Sequence, residues 1–223
     1  MQDLTFAIGD IHGRFDLLDR AIEMISRHAA GASHRVICLG DYVDRGPDSK
    51  RVVETLMDLS VRGSWTCLMG NHEEMMIQAL RTSRRSELDR WLDNGGDATL
   101  QSYGGSVPPS HLAWMDSLAL TRRDPHRLYV HAGIEPDVAI DAQKKRSLLW
   151  IRERFLAAEP ASLPCHVVHG HTPYWAGKPD PERPEQLPHR TNLDTGAYAT
   201  GVLSVGVFNN TIPGGPLYVL NVT

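Results

Sequence analysis

Three strand–loop–helix units follow one another in the first third of the chain, and this repetition is the feature that most limits the fold. Apolar runs at Leu4–Ile8, Val36–Leu39 and Trp65–Met69 predict strands. Each run leads through a glycine-containing loop into apolar residues at helical spacing, the first helix running from Phe15 to Ala29. Right-handed crossovers between parallel strands place helices on the faces of a sheet, so this order predicts an α/β fold.

The remainder of the chain has a different pattern. Short helical pieces dominate residues 85–120, which we interpret as a small helical insertion in which Asn94-Gly95-Gly96 ends one helix. Further strands are predicted at Leu128–Val130 and His166–His169, with one short helix over Leu148–Phe155 between them. Alternating apolar residues in the final third predict antiparallel strands.

Composition excludes several classes of protein. The chain of 223 residues has 27 acidic and 23 basic side chains, a net charge of −4, which argues against a nucleic-acid binder that works by bulk positive charge. No apolar run approaches the roughly 18 residues that cross a bilayer, so no membrane association is expected. Three cysteines without a close pair favour a reducing, cytoplasmic setting. The length predicts a single domain covering residues 1–223, and the 11 histidines favour metal or acid–base chemistry.

Five polar clusters each stand where a predicted strand ends, the edge at which α/β sheets place their working loops. The clusters are Gly9-Asp10-Ile11-His12-Gly13, Gly40-Asp41-Tyr42-Val43-Asp44-Arg45-Gly46, Gly70-Asn71-His72-Glu73, His131-Ala132-Gly133 and Gly170-His171. Neighbouring glycines let the backbone fold closely around an ion. Carboxylate, amide and imidazole ligands without thiolate suit manganese, iron or zinc better than a structural zinc site.

We predict six metal ligands in two linked sets. Asp10 and His12 lie close enough in sequence to converge on one cation. Asp41 has two carboxylate oxygens and is predicted to bridge this ion to a second one. The ligands predicted to complete the second ion are Asn71, His131 and His171.

Such a pair of metals points to the hydrolysis of phosphate esters. Two cations about 3.5–4 Å apart clamp a phosphoryl group and lower the pKa of a shared water, so that a metal-bridging hydroxide is the expected nucleophile. His72, beside Asn71, is the expected general acid for the leaving oxygen. Asp44 is predicted to hydrogen-bond the other nitrogen of His72 and raise its pKa. Arg45 offers a planar fork for phosphoryl oxygens.

Taken together, these elements resemble the calcineurin-like metallophosphoesterases, especially the small bacterial and phage members of the phosphoprotein phosphatase group. The matching motifs are GDxHG, GDxVDRG and GNHE, followed in order by the two histidine elements, and they span residues 9–171. The resemblance implies a four-layer α/β fold with a central β-sandwich flanked by helices, a dinuclear centre bridged by Asp41, and His72–Asp44 as acid and orienting partner. It also implies that Arg152 binds phosphate, because Trp150-Ile151-Arg152-Glu153 resembles the family's Trp-x-Arg-Glu segment.

Two positions depart from the family pattern. Met69 stands where the family's protein phosphatases usually carry an arginine, so one phosphate-binding group is missing. Arginine at this position is predicted to lower the KM for a phosphopeptide. Ala132 replaces the first glycine of the family's His-Gly-Gly, an exchange of one small residue for another that we expect to be tolerated.

The leading functional prediction is a metal-dependent serine/threonine protein phosphatase, active by the same chemistry on phosphotyrosine and small aryl phosphates. Its cofactors are expected to be two divalent ions, manganese first, with iron or zinc as alternatives. The alternative is a symmetrical dinucleoside polyphosphate (diadenosine tetraphosphate) hydrolase; that branch typically reads Gly-Asn-His-Asp, so Glu73 favours the phosphatase, whereas Met69 weakly favours the alternative.

Two further hypotheses are disfavoured. Intact ligands argue against a catalytically dead scaffold that binds partners. Thr172-Pro173 stands where cyclic-nucleotide phosphodiesterases usually have a second histidine. The proline-rich loop over residues 173–189 is expected at the surface, and the expected partners are a phosphorylated protein or a small phosphoester.

Overall fold

The computed structural model describes residues 3–31, 33–82, 84–173 and 183–223. Residues 174–182, most of the proline-rich loop, lie outside the described residues. Within the described ranges the strands are β1 (Leu4–Ile8), β2 (His34–Cys38), β3 (Trp65–Cys67), β4 (Thr121–Arg123), β5 (Arg127–Val130), β6 (His166–His169), β7 (Glu185–Gln186), β8 (Arg190–Asn192), β9 (Leu203–Asn209) and β10 (Tyr218–Val222). The α-helices are α1 (Phe15–Ala29), α2 (Ser49–Val61), α3 (Asn71–Arg81), α4 (Arg85–Trp91), α5 (Asp97–Ser102), α6 (Pro109–Asp116), α7 (Lys145–Trp150), α8 (Glu153–Leu156) and α9 (Ala197–Thr200). In this part of the chain no helix has the length and apolar character that a bilayer crossing requires.

The strands form two five-stranded mixed sheets. The first has the order β10-β9-β1-β2-β3, in which β1, β2 and β3 run parallel and β9 and β10 are antiparallel neighbours. The second has the order β4-β5-β6-β8-β7, in which β5, β6 and β8 run parallel. The antiparallel prediction for the final third is therefore confirmed for β9 and β10. It holds for only one side of β8, which pairs antiparallel with β7 and parallel with β6.

Four layers result from the way each strand divides its side chains between two faces. Phe6 and Ile8 of β1 pack with the helices, whereas Ala7 between them packs into the space between the sheets. Tyr129 and Phe208 meet in that central layer, edge to face with ring centroids 5.8 Å apart. Helices α7 and α8 cover the outer face of the second sheet. The predicted α/β arrangement, a β-sandwich between helices, is confirmed.

Two local predictions were wrong in ways that affect the site. The predicted helix Leu148–Phe155 is broken into α7 and α8 by Ile151 and Arg152, and Arg152 has φ −131° and ψ −105°. Asn94-Gly95-Gly96 does not end a helix in a simple stop. It lies in a π-helical turn, Leu92–Gly96, that joins α4 to α5 with a kink at Gly95. The break between α7 and α8 leaves Arg152 outside both helices. The kink at Gly95 brings the insertion against the site.

Candidate metal centre

The five predicted polar clusters meet at one edge of the sandwich, although their strands belong to two different sheets. The loops after β6 and β1 are joined where the backbone N–H of His171 donates to Asp10 Oδ2 at 3.0 Å. The loops after β5 and β3 are joined where His131 Nε2 lies 2.8 Å from Asn71 Oδ1. The carboxyl ends of the parallel strands thus supply one common site.

Asp41 lies at the middle of this site. Its Oδ2 is 3.5 Å from His12 Nε2, and its Oδ1 is 3.4 Å from His131 Nε2. Two groups of buried donor atoms, each within 4.8 Å of one another, share this carboxylate: His12, Asp41 and His72 form one, and Asp41, His131 and His171 form the other. The two oxygens of Asp41 therefore face two different sets of donors, as a bridging ligand requires.

Asn71 and Asp10 complete the set of predicted ligands. The Asn71 Oδ1 lies 2.7 Å from His171 Nδ1 as well as close to His131, so three donor atoms converge at this point. Asp10 is buried and accepts the backbone N–H of His171, but its oxygens do not belong to either of the two donor groups in the described residues. Of the six predicted ligands, Asp10 thus has the least support from the positions of the donor atoms.

A further buried carboxylate, Asp194, was missed by the sequence reasoning. Burial, with Asp194 and Asp41 as negative neighbours, raises the pKa of Asp10 well above its usual value. Burial also raises the pKa of Asp194 to about 6. Asp194 follows β8 in the segment Asp194-Thr195-Gly196, the same pattern of a polar residue and glycine after a strand that revealed the other five clusters. Buried carboxylates that repel one another are expected where cations bind.

The pKa shifts of three donors, His12, Asp41 and His171, fit divalent cations. Burial, reinforced by neighbouring histidines, lowers the pKa of His12 and of His171 well below the usual value, so both imidazoles are neutral. Burial opposes ionisation of Asp41, but the nearby histidines, His131 foremost, outweigh it and lower its pKa. Neutral imidazoles and ionised carboxylates are the forms that bind metals. Because Nε2 of His171 is also buried without a hydrogen-bond partner, the residues at this edge fit two divalent ions better than a purely protein network.

His72 is held by Asp44 in a different way from the other histidines. Its Nδ1 lies 2.7 Å from Asp44 Oδ2, while its Nε2 faces the site, 3.9 Å from Asp41 Oδ2. Burial lowers the pKa of His72, but the charges of Asp41 and Asp44 and the hydrogen bond to Asp44 outweigh it, so the net shift is upward. His72 therefore favours the protonated form, which a general acid needs.

The helical insertion supplies the partners of Asp44, which sequence reasoning also missed. Trp91 Nε1 donates to both carboxylate oxygens at 2.9 and 3.0 Å, and the Thr99 hydroxyl donates at 2.7 Å. The carbonyl of Gly95 accepts the backbone N–H of Arg45 at 3.1 Å. The kink at Gly95 thus sets the insertion directly against the loop that carries Asp44 and Arg45.

Two exposed arginines flank the centre, one beside each donor group. Arg45 places its two terminal nitrogens 3.0 Å from His12 Nε2 and 3.1 Å from His72 Nε2. Its guanidinium lies over the ring of Tyr198, 4.7 Å from the centroid, and that ring also contacts His12 edge to face. Arg152 donates to the Thr172 hydroxyl at 3.0 Å and to the carbonyl of His171 at 3.3 Å. Tyr198 is a further residue that the sequence reasoning missed.

The backbone of the site is strained where it presents its functional groups. Positive φ angles near the left-handed region occur at His12, Asp41, Asp44, Arg45 and His171. This conformation costs roughly 1–2 kcal/mol for a residue with a Cβ, so surrounding contacts must hold it. Glycine is required between the loops: a Cβ at Gly70 would lie 2.2 Å from Asp41 Oδ1, and one at Gly170 would lie 2.1 Å from Asp10 Oδ1.

Glu73 supplies much of the support for the Asp41 loop. Its buried carboxylate accepts four backbone N–H groups, from Gly70 at 2.9 Å, Asp41 at 2.9 Å, Tyr42 at 2.7 Å and Val43 at 3.3 Å. The acceptor therefore fastens the loop after β2 to the loop after β3. Asn71 and His72 directly precede Glu73 in the chain. The hydrogen bonds from the Asp41 loop to Glu73 therefore also fix the spacing between the shared carboxylate of Asp41 and His72, the expected acid.

Met69 and Ala132, the two residues that depart from the family pattern, are both buried in the structure. Met69 is 2% exposed and packs into the helix-side core of the first sheet, so its side chain is part of the hydrophobic layer. Ala132 is also buried, and its backbone N–H donates to the carbonyl of Leu148 at 2.9 Å. Gly133, with φ +143°, has no room for a Cβ, which would lie 2.3 Å from Phe155.

Comparisons with known proteins agree with this geometry. The chain is 31% identical over 214 residues to "Serine/threonine-protein phosphatase 1" of Salmonella typhimurium, covering 90% of each protein. It is 33% identical over 135 residues to "Bis(5'-nucleosyl)-tetraphosphatase, symmetrical" of Pseudomonas syringae pv. syringae, covering 59% of this chain and 42% of that protein. A crystal structure provisionally described as a diadenosine tetraphosphatase superposes with a TM-score of 0.68 at 23% identity, covering 99% of this chain and 94% of the other, which supports the fold.

The family profile described as "Calcineurin-like phosphoesterase" matches residues 5–197, which include every motif residue of the site. The predicted metallophosphoesterase fold is confirmed by this match and by the superposition. The shared carboxylate, the convergent histidines and this match together mean that the chain belongs to the calcineurin-like phosphoesterase family and is a metallophosphoesterase.

Proposed function

We propose that this protein is a phosphomonoesterase that removes phosphate from phosphoserine and phosphothreonine in proteins. The observation that carries the proposal is the His72–Asp44 pair, 2.7 Å apart, beside a carboxylate shared by two donor groups. That arrangement combines an acid for the leaving oxygen with the donor atoms for a dinuclear centre.

The residues proposed to hold two divalent cations are Asp10, His12, Asp41, Asn71, His131 and His171. Manganese is the first candidate, with iron or zinc as alternatives, because the donors are carboxylate, amide and imidazole. When bound, such ions polarise phosphoryl oxygens and make water nucleophilic near neutral pH.

The chain's own side chains bind and orient the phosphate. Arg45 extends over the His12 and His72 side of the centre, and Arg152 lies beside His171 on the other. Both guanidinium groups present planar forks that match two phosphoryl oxygens. Tyr198 supports Arg45 by lying against its guanidinium plane. Substrate phosphate is therefore held from two sides.

His72 completes the reaction by protonating the leaving oxygen. Asp44 holds the proton on Nδ1, so Nε2 remains the nitrogen directed to the site. Trp91 and Thr99 hold Asp44 in place, since each donates a hydrogen bond to its carboxylate. A serine or threonine alkoxide is a poor leaving group, so the reaction depends strongly on this proton.

A second candidate function is symmetrical hydrolysis of dinucleoside tetraphosphates, favoured by the relatives that carry that name. Two observations support the protein phosphatase instead. The phosphatase relative is covered over 90% of its length, whereas the tetraphosphatase relative is covered over 42%. The chain also has Glu73, which accepts four backbone N–H groups, where the other branch typically has an aspartate.

Turnover of a phosphoserine peptide and of diadenosine tetraphosphate by the manganese-supplemented protein tests the proposal. We expect the peptide to have the higher kcat/KM, and p-nitrophenyl phosphate to be hydrolysed as well. The His72→Asn variant serves as a control for contaminating phosphatases, because it should lose peptide turnover. Much faster cleavage of the dinucleotide would reject the protein-phosphatase proposal in favour of the second candidate.

A further inference from the structure

A cavity of about 410 Å³ lies beside the metal centre. Its lining residues are Glu74, Gln78, Arg90, Lys145, Arg146 and Trp150. None of these residues is a proposed metal ligand or acid–base group. The cavity is therefore a feature that the chemistry at the centre does not explain.

The cavity adjoins the place where a substrate phosphate would bind. The Trp150 ring stands perpendicular to the His171 ring, with centroids 6.2 Å apart. Trp150 is also two residues before Arg152, one of the proposed phosphate contacts. Glu74, which also lines the cavity, follows Asn71 by three residues on α3, which is about one helical turn. Groups attached close to the phosphate would therefore extend over this cavity.

The lining carries an excess of positive charge. Glu74 is its single carboxylate; it pairs with Lys145 at 3.1 Å and accepts the indole N–H of Trp150 at 2.8 Å. Within the part of the chain that the structure describes, Arg90 and Arg146 form no ion pair with a carboxylate. Two exposed guanidinium groups thus line the cavity without an ion pair of their own among the described residues, on a protein whose net charge is −4.

The arrangement suits carboxylates better than a nucleobase. Arg90 stacks on Trp150, with its guanidinium carbon 4.6 Å from the ring centroid, so one face of the indole is covered. The indole N–H is already used by Glu74. A stacked guanidinium still has its edge N–H groups available for a carboxylate, which it binds with matching planar geometry.

We propose that this cavity binds acidic side chains that flank the phosphorylated residue of a protein substrate. The proposal rests on the proposed function and deepens it by naming a preference among phosphoproteins. Because an extended chain spans about 3.3–3.6 Å per residue, we expect side chains about two to four residues from the phosphoserine to reach the cavity.

Matched phosphoserine peptides test the preference. One series carries aspartates at those flanking positions, on either side of the phosphoserine, and the other carries asparagines. The manganese-supplemented protein is assayed with each pair. At the flanking position that reaches the cavity, the aspartate peptide should have a kcat/KM about two- to fivefold above that of the matched asparagine peptide, as expected for an exposed ion pair. The ratio should shrink as salt is raised, because the contact is screened.

Variants of the cavity arginines test whether the preference for acidic peptides arises at the cavity. Arg146→Gln should bring the ratio of acidic to neutral peptide close to one, and Arg146→Lys should restore it. Arg62→Gln removes the same charge from an exposed arginine that does not line the cavity, and it should keep the wild-type ratio. Fluorescence anisotropy of the labelled peptide pairs with the metal-free protein should show the same order of affinities, so the result does not depend on turnover.

Several outcomes would overturn the inference. Equal kcat/KM for both peptides with the wild type would reject it while leaving the proposed function intact. Equal loss of the ratio in Arg146→Gln and Arg62→Gln would assign the effect to net charge and not to the cavity. A loss of diadenosine tetraphosphate turnover in Arg146→Gln, with the peptide ratio unchanged, would assign the cavity to a nucleotide. Hydrolysis of aryl phosphate without any phosphopeptide turnover would reject the proposed function, and the inference with it.

Discussion

Asp44 lies 2.7 Å from His72 and is completely buried beneath it. The contact joins a side chain of the β2 loop to one at the start of α3, and the insertion holds the carboxylate from behind through Trp91. The hydrogen bond of this pair is thus supported by the insertion, and the pKa of its histidine is raised. Its consequences for catalysis can be tested one group at a time.

Removing the acid should affect substrates according to their leaving groups. His72→Asn should lower kcat on a phosphoserine peptide by about 10²–10⁴, but much less on p-nitrophenyl phosphate, whose leaving oxygen needs little protonation. The metal content should stay at the wild-type value, although His72 lies within one donor group. His28→Asn, at an exposed histidine of α1, is the matched control. Equal losses on both substrates would contradict the assignment of His72 as general acid, and loss of metal would make it a ligand.

Removing the hydrogen bond from Trp91 to Asp44 should also lower peptide turnover, but by less than the removal of His72. Trp91→Phe deletes the indole N–H that Asp44 accepts, and a hydrogen bond to a charged group is worth about 1.5 kcal/mol, or roughly tenfold in kcat. Trp114→Phe, at a tryptophan that packs against Tyr42 and does not touch Asp44, controls for lost packing. If both variants reduce peptide turnover equally, Trp91 acts only through the core.

Metal analysis distinguishes a shared ligand from an unshared one. Asp41→Asn should reduce the metal content of both donor groups, because the carboxylate belongs to both and the substitution removes its charge. His131→Asn should reduce only one. Elemental analysis after dialysis measures the ions retained per chain. Two ions retained by Asp41→Asn, or equal losses in both variants, would contradict a bridging role.

Shortening Glu73 should loosen the loops that carry the centre. Glu73→Asp withdraws the carboxylate by one methylene and leaves buried backbone N–H groups unpaired, at a cost of about 1–3 kcal/mol for each group. We expect a lower free energy of unfolding in urea and metal affinity weakened about 10–100-fold. Glu23→Asp, on the exposed face of α1, is the control. Unchanged metal affinity in Glu73→Asp would show that the loops hold their positions without this acceptor.

A buried histidine away from the centre should contribute to acid sensitivity. Burial lowers the pKa of His166, which contacts the Thr191 hydroxyl at 2.9 Å. Below an unfolded-state pKa of about 6.5 the unfolded chain therefore binds one more proton at this site than the folded chain, so stability falls as the pH falls from there towards the lowered pKa. His166→Gln should flatten the curve of unfolding free energy against pH by up to about 1.4 kcal/mol per pH unit in that window. Parallel curves for the two metal-free proteins would contradict this.

The sequence predicted best those elements that follow from local patterns. β1 and α1 were predicted at their observed ends, because an unbroken apolar run and a regular apolar stripe each have one interpretation. β4, Thr121–Arg123, was missed because three polar residues give no strand signal. The helix over 148–155 was wrong because apolar spacing continues through Ile151 although the backbone does not. The single-domain interpretation of residues 1–223, with its insertion at 85–120, stays a prediction.

The same distinction applies to the site. Motif residues such as Asp41 and His131 were identifiable because glycine and a strand end mark each of them. Trp91 and Tyr198 carry no such mark: Trp91 is 47 residues from the carboxylate it contacts, and only the folded chain brings them together. Their roles depend on long-range packing, which a pattern of neighbouring residues does not contain. The roles assigned to the motif residues likewise remain proposals until the variants above are measured.

The left-handed backbone at the centre has a consequence for laboratory evolution. Arg45 is the exposed member of the five residues with that conformation, at φ 70°. Glycine there would recover part of the roughly 1–2 kcal/mol that the side chain imposes, while deleting a proposed phosphate contact. Selecting a library of variants of this protein for heat resistance alone would therefore enrich substitutions at position 45 that keep the fold but lose activity. Screening for thermal tolerance and turnover together is the way to keep the enzyme.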